Sequence, residues 1–281
     1  MKLRILYQAQ YSYEEPVTFS PHLFRLFPKV DQHVKVHSHD FRTNVDASVN
    51  FRRDLFDNEI ASCFYPTPSS LLAASLMIEL EVQPKNAFGF LLDSHALAIP
   101  LAYSRADYRV LEPYLQTEGT FVLPFWKAPA TPQPTAETLV ALNSAIHDNL
   151  GYERRDEGPA FSPAETLERG SGACRDFAVL LAESLRGLCL ASRLASGYLC
   201  EFGDGDKVAE GAMHAWVETY LPGAGWIGLD PTNGTFCDHH HLTTAVGLTP
   251  ANISPMSGSY FHPTHAPAQT MSASLSILPH E

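Results

Sequence analysis

The stretch SGACRDFAVLLAESL, residues 171–185, sets one cysteine between three small residues and a run with helical spacing. Phe177, Leu180, Leu181, Leu185 and Leu188 recur at i, i+3, i+4, i+8 and i+11, which turns one stripe toward a core, and Arg186-Gly187 supplies a stop. Cys174 therefore stands at or near a helix start, where unpaired backbone N–H groups and the positive end of the dipole stabilise a thiolate. A lone cysteine beside an apolar helix is more often a small buried hydrophobe, so position alone leaves both readings open.

Downstream, LASRLASGYLCEF (190–202), AMHAWVETYLP (212–222) and GWIGLDP (225–231) have strand character and are joined by Gly, Asp and Pro turns. Alternation places His214, Trp216, Glu218 and Tyr220 on one strand face and Ala215, Val217, Thr219 and Leu221 on the other. Asp230 closes the next strand before Pro231 and the Asn233-Gly234 turn. A hairpin from His214 through Pro222-Gly223 to Asp230 brings imidazole and carboxylate together. Cysteine, histidine and aspartate in that order meet the demands of acyl transfer: attack by sulfur, proton exchange by the imidazole, and orientation of the imidazole by the carboxylate.

Upstream, AETLVALNSAIHDNL (136–150) repeats apolar residues at 139, 140, 142, 146 and 150, a helical pattern, and SPAETLERG (162–170) carries a Ser-Pro-x-Glu helix start. The proline-rich KAPATPQPTAETL (127–139) reads as an extended connector. Before it, LRILYQAQYSYEEPV, HVKVHSHDFRTNVDASV, EIASCFYP and SLMIELEVQP are short alternating runs separated by turn signals. The expected organisation is a β-rich, sandwich-like domain over 1–126, a linker over 127–137 and an α+β domain over 138–281 whose helix packs on an antiparallel sheet. Beyond about residue 235 the polar, Pro-, Ser- and His-rich tail reads as irregular until SASLSIL, a final strand.

Composition bounds the function. The 281 residues are 45% hydrophobic and 11% aromatic, enough for a large core. Nineteen basic against 31 acidic side chains leave a net charge of −12, with no basic stripe, so neither nucleic acid nor an anionic membrane is an expected partner. No segment approaches the roughly 20 apolar residues of a membrane span, and the short apolar start lacks a cleavage site, so a soluble cytoplasmic protein is expected. Five cysteines at 63, 174, 189, 200 and 237, without a C-x-x-C pair, give no disulfide or thiolate-zinc framework. The histidines at 33, 37, 39 and 239–241 read as solvated groups, although His37 and His39 share a strand face. No metal and no cofactor is expected.

The blocks 171–199 and HAWVETYLPGAGWIGLDPTNG (214–234) resemble the core of the transglutaminase-like superfamily of papain-related cysteine enzymes. YQAQYSYEEPVTFSPHLFRLFP (7–28) and RRDLFDNEIASCFY (52–65), with Tyr11-x-Tyr13-x-x-Pro16-Val17 and Asp54-x-x-x-Asn58, are similar to the β-rich N-terminal region of its bacterial members. The resemblance implies a papain-like fold, Cys174 as nucleophile, His214 as base and acid, Asp230 as orienting group, and a peptide or amide substrate. The stretch FCDHHHLTTAVGLTPANISP departs from the His-Ile strand and Gly-Arg-Asp-Tyr turn of many relatives.

Further site candidates follow. The Cys174 N–H is the expected oxyanion donor, with Trp126 or Tyr152 as a second. Asp176 faces the cleft or merely favours the first helical turn. Trp216 shields the histidine or simply fills the interior, and residues 171–173 leave room for an acyl group. Hydrolysis through a thioester is the leading reading. Transfer to an amine and a non-catalytic binding module are the rivals.

Overall fold

In the first strand, β1 (Lys2–Phe19), Leu3, Ile5, Tyr7 and Ala9 are buried while Lys2, Leu6, Gln8 and Gln10 face outward, the period-two pattern of a half-buried strand. The computed structural model describes residues 1–44, 46–117, 119, 121–155, 158–200, 209–210 and 212–280. Strands β2 (His22–Phe24), β3 (Val34–Thr43), β4 (Ser48–Arg53), β5 (Glu59–Phe64) and β6 (Ser69–Val82) follow. Helices α1 (Arg105–Leu115), α2 (Thr135–Asn149), α3 (Pro163–Arg169) and α4 (Cys174–Gly187) come next. Strands β7 (Ser192–Leu199), β8 (Ala212–Leu221), β9 (Gly225–Asp230), β10 (His241–Gly247) and β11 (Gln269–Pro279) complete the main elements.

One antiparallel sheet runs β11-β1-β6-β3, with Ile5 opposite both Ile277 and Ile78. A second contains β2-β5-β4, with Met256–Ser257 on the outer side of β2. Leu3, Ile5 and Ile78 of the first sheet share a core with Phe24, Ala61 and Cys63 of the second, which gives the sandwich-like front expected from the alternating runs.

The third sheet runs β9-β8-β7-β10. Phe177, Leu180, Leu181 and Leu185 of α4 pack into one core with Ala215, Val217 and Leu221 of β8 and with Leu139, Leu142 and Ile146 of α2. Helix on antiparallel sheet is thus the observed architecture of this half, and the whole chain is α+β. Among the described residues no helix is long and apolar enough to cross a membrane.

Three local features differ from expectation. The region read as β-rich contains α1, capped where Ser104 accepts a hydrogen bond from the Asp107 N–H at 3.1 Å. Pro113 lies inside that helix and only Leu111 is buried, so periodicity marks it poorly. Val140 is exposed, leaving 139, 142 and 146 as the core stripe of α2. The tail is more regular than its composition suggests: β10 pairs with β7 in the third sheet, and β11, which holds the expected SASLSIL strand, returns to β1. The run 190–202 forms β7 as far as Leu199; Glu201 and Phe202 lie outside the described residues.

Candidate active site

Helix α4 begins at Cys174 with extended Ala173 as its N-cap, so the Cys174 N–H belongs to the first turn, which has no intrahelical acceptors. Ala173 has no polar side chain to cap that turn. The Asp176 carboxylate supplies the capping contact instead, accepting from the Ala173 N–H at 2.7 Å. Asp176 also accepts from Arg155 Nη2 at 2.7 and 2.8 Å and from the Phe161 N–H at 2.7 Å. It is fully buried, so its carboxylate serves the fold and presents no face to a cleft. The Arg155 guanidinium in turn stacks 3.5 Å above Phe161.

The small residue at 172 has the same cause. A Cβ on Gly172 would lie 2.9 Å from the Asp176 Cβ and 3.3 Å from Phe177, so at this position the missing side chain makes way for the helix's own first turn.

The hairpin forms as its sequence predicts. Leu221 opposes Gly225 across Pro222-Gly223-Ala224, and Val217 opposes Leu229, which brings Asp230 back toward His214. His214 Nε2 lies 2.8 Å from Asp230 Oδ2, and the imidazole also hydrogen-bonds Cys174. Burial pulls the His214 pKa down, but the Asp230 hydrogen bond and charge and the Cys174 contact outweigh it and push the value up to about 10. Burial opposes ionisation of Asp230 too. Hydrogen bonds from His214 and His241 win, holding the carboxyl well below the usual carboxylate range.

Trp216 is buried, stacks at 6.2 Å centroid separation on His214 and packs with Ala195, Cys237 and Val246, so it both fills the interior and covers the imidazole. Tyr152 pairs in a short parallel bridge with Gly172, two residues before Cys174, and is 57% exposed. Trp126 packs at the margin of the core that also receives Cys174. His37 and His39 do not converge: β3 shifts register between Val36 and Ser38, and the two imidazoles face Glu81 and Glu59 respectively.

Sequence reasoning missed the partners that seat the aspartate. His241, grouped with a solvated run, is only 6% exposed and lies with Nε2 3.2 Å from Asp230 Oδ2. Asn233 Nδ2 donates to the same oxygen at 2.7 Å, and the Thr232 and Asn233 N–H groups donate to Oδ1 at 2.9 and 3.3 Å. From α2, buried Asn143 donates to the carbonyls of Asp230 and Thr235 at 3.2 Å each, and His147 Nδ1 meets the Thr232 carbonyl at 2.8 Å. Asn143 had a signal: it falls on the apolar stripe 139, 142, 146, where a polar residue needs a buried partner.

The other described cysteines differ in kind. Burial pushes the Cys63 thiol up to about 11, Cys200 to about 12 and Cys237 well above the ordinary value, whereas Cys189 is exposed after the helix end.

Two family models match the chain: the transglutaminase-like superfamily core over residues 127–231 and the bacterial transglutaminase-like N-terminal region over 3–83. An uncharacterised protein of Mycobacterium leprae is 26% identical over 266 residues, covering 92% of this chain and 93% of its own. A protein-glutamine gamma-glutamyltransferase of Pseudomonas aeruginosa is 28% identical over 106 residues, 36% of this chain and 16% of that protein. A Cytophaga hutchinsonii structure provisionally named a cysteine protease superposes with a TM-score of 0.71 at 17% identity, covering 100% of this chain and 92% of that one.

Proposed function

The chain belongs to the transglutaminase-like superfamily, and from that premise we propose that it is a cysteine-dependent hydrolase of amide or peptide bonds, working through a thioester. The observation that carries this reading is one imidazole hydrogen-bonded to Asp230 and to Cys174, the cysteine standing at a helix start.

In the proposed cycle the Cys174 sulfur attacks the carbonyl carbon, and the oxygen takes up the negative charge facing the Cys174 N–H. Imidazolium His214 then gives its proton to the departing amine as the C–N bond breaks and the thioester remains. Neutral His214 next takes a proton from water, whose oxygen attacks the thioester. Collapse releases the acid and returns the proton to the Cys174–His214 pair. Asp230 stays ionised throughout and fixes the ring so that its other nitrogen faces the sulfur. Trp126 or Tyr152 is proposed as the second oxyanion donor.

Transfer to an amine is the second reading, favoured by the partial match to the Pseudomonas transferase. The two differ only in the nucleophile that resolves the thioester.

Iodoacetamide followed by peptide mapping tests the thiol. Labelling concentrated at Cys174 at neutral pH and lost in His214→Ala is expected, while equal labelling of Cys174 and Cys189 that survives His214→Ala rejects an activated nucleophile. Incubation with a glutamine peptide and a labelled amine then separates the activities. Released ammonia or a cleaved peptide without incorporated amine supports hydrolysis, and incorporated amine supports transfer.

A further inference from the structure

Near the end of β1 the chain gathers a second histidine–carboxylate group, made of residues other than those of the candidate active site. His262 and His265 lie in the segment HPTH just after Tyr260–Phe261 pairs with the end of β1, and Glu15 projects from β1 itself. His262 Nε2 is 3.1 Å from one Glu15 oxygen and His265 Nε2 is 3.8 Å from the other. All three donor atoms fall within 4.8 Å of one another. The two rings sit 4.7 Å apart and nearly edge to face.

The back sides of both rings meet one hydroxyl. Thr264 Oγ1 lies 3.3 Å from His262 Nδ1 and 2.9 Å from His265 Nδ1. A hydroxyl carries one proton and two lone pairs. If it donates to His262, that ring holds its proton on Nε2 and bonds Glu15. The hydroxyl then accepts from His265 Nδ1–H, and His265 Nε2 aims a lone pair at a carboxylate. The His265 N–H also donates to His262 Nδ1 at 3.5 Å, so that nitrogen acts as an acceptor. In that arrangement His265 Nε2 and Glu15 turn electron pairs toward one point, and His262 Nε2 joins them on giving up its proton to a bound cation. An Nδ1–H held from behind by a fixed acceptor is also the usual support for a metal-bound imidazole.

We propose that Glu15, His262 and His265 bind a divalent ion of the zinc class, with water in the fourth position. Bond lengths of about 2.0–2.1 Å to nitrogen and oxygen at tetrahedral angles separate ligand atoms by about 3.3 Å. The His262–Glu15 distance of 3.1 Å is already near that spacing, and the three ligand atoms, all within 4.8 Å of one another, close onto an ion by side-chain adjustment. Two imidazoles among three ligands select zinc, cobalt or nickel over calcium and magnesium, which take oxygen. The ion would clasp the segment preceding β11 to β1, where β1 shifts register against β6 between Ser12 and Val17.

The test is equilibrium dialysis and calorimetric titration of the full chain with Zn2+ after chelation, alongside His262→Gln/His265→Gln and, separately, Glu15→Gln. One equivalent bound by the wild type, lost in the double variant and weakened at least tenfold in Glu15→Gln, is expected. Saturating Zn2+ should raise the wild-type Tm by about 5 °C and leave the double variant unmoved, given the stabilisation from a ligand at 100 times its Kd. Equal Tm of all forms in chelator shows that the variants fold. Absence of a bound equivalent in the wild type overturns the proposal. So does an equivalent that the double variant retains, which would put the ion elsewhere, for instance at Asp238, His239 and His240.

Discussion

Replacing Asp230 by Asn separates the chemistry of the candidate site from its architecture. Asp230 accepts five hydrogen bonds: Thr232 and Asn233 N–H on Oδ1, and His214 Nε2, His241 Nε2 and Asn233 Nδ2 on Oδ2. An asparagine keeps its oxygen for the two backbone donors and turns two amide hydrogens toward three former donors. His214 and His241 can each become acceptors at Nε2 by moving a proton to Nδ1; the Asn233 group is then the one left unpaired. One buried unsatisfied group costs about 1–3 kcal/mol, tolerable against a total stability of about 5–15 kcal/mol. The chemical effect is larger. With its proton on the nitrogen that faces Cys174, His214 no longer has a lone pair for the thiol proton, and an equivalent tautomer error in a serine protease lowers kcat about 10⁴-fold, roughly 5.5 kcal/mol of barrier. Nitrophenolate release from p-nitrophenyl acetate gives the rate, and urea unfolding gives the stability. A rate within tenfold of wild type refutes the assigned role of Asp230. A stability loss above about 4 kcal/mol would make it a scaffold residue first.

Other substitutions address neighbouring claims. His241→Leu removes a charge-assisted bond to Asp230 worth about 1.5–3 kcal/mol, so nitrophenolate turnover should fall about ten- to a hundredfold, with partial recovery in His241→Gln; a Leu variant within twofold of wild type would assign His241 to packing alone. Gly197→Ala places a Cβ 1.9 Å from the Leu242 carbonyl oxygen at the register shift between β7 and β10, and should lower stability by about 3 kcal/mol or more in urea. In Cys174→Ala the His214–Asp230 pair stands without the thiol. There the hydrogen bond and charge of Asp230 still raise the histidine above its ordinary 6.5, so the pair stabilises fully below pH 6.5, and that contribution declines as pH rises through the folded value. Unfolding free energies from urea titrations should therefore fall, as pH rises above 6.5, by up to about 1.4 kcal/mol per pH unit more than in Cys174→Ala/Asp230→Asn; parallel profiles would contradict the raised histidine.

What could be read from the sequence followed from local periodicity. The α4 stripe of Phe177, Leu180, Leu181 and Leu185 and the β8 alternation are local patterns, so helix, hairpin and the meeting of His214 with Asp230 were legible. Asp176 was not, because its three partners, at 155, 161 and 173, stand outside the helices on either side of α3, at positions with no periodic signature. Nor was His241: in a run of three histidines, only the antiparallel pairing of His241 with Leu199 distinguishes the buried third member from its half-exposed neighbours. Helix α1 hid behind a proline and an exposed, charged surface.

Asn58 ties these halves in a manner that bears on how the chain can be divided. Buried in the turn before β5, its side-chain amide donates to the Val246 carbonyl at 2.7 Å and accepts from the Val246 N–H at 2.9 Å, pairing as a neighbouring strand would with the outer strand of the third sheet. Asp54 holds that amide in turn, donated to by Asn58 Nδ2 at 3.0 Å. Expressing residues 127–281 alone would thus strip the escort from an edge strand that carries His241 at its start, exposing open backbone to other chains. The front sandwich is in this sense an intramolecular chaperone for the strand that seats the aspartate, and an excised core should self-associate rather than act as an independent module.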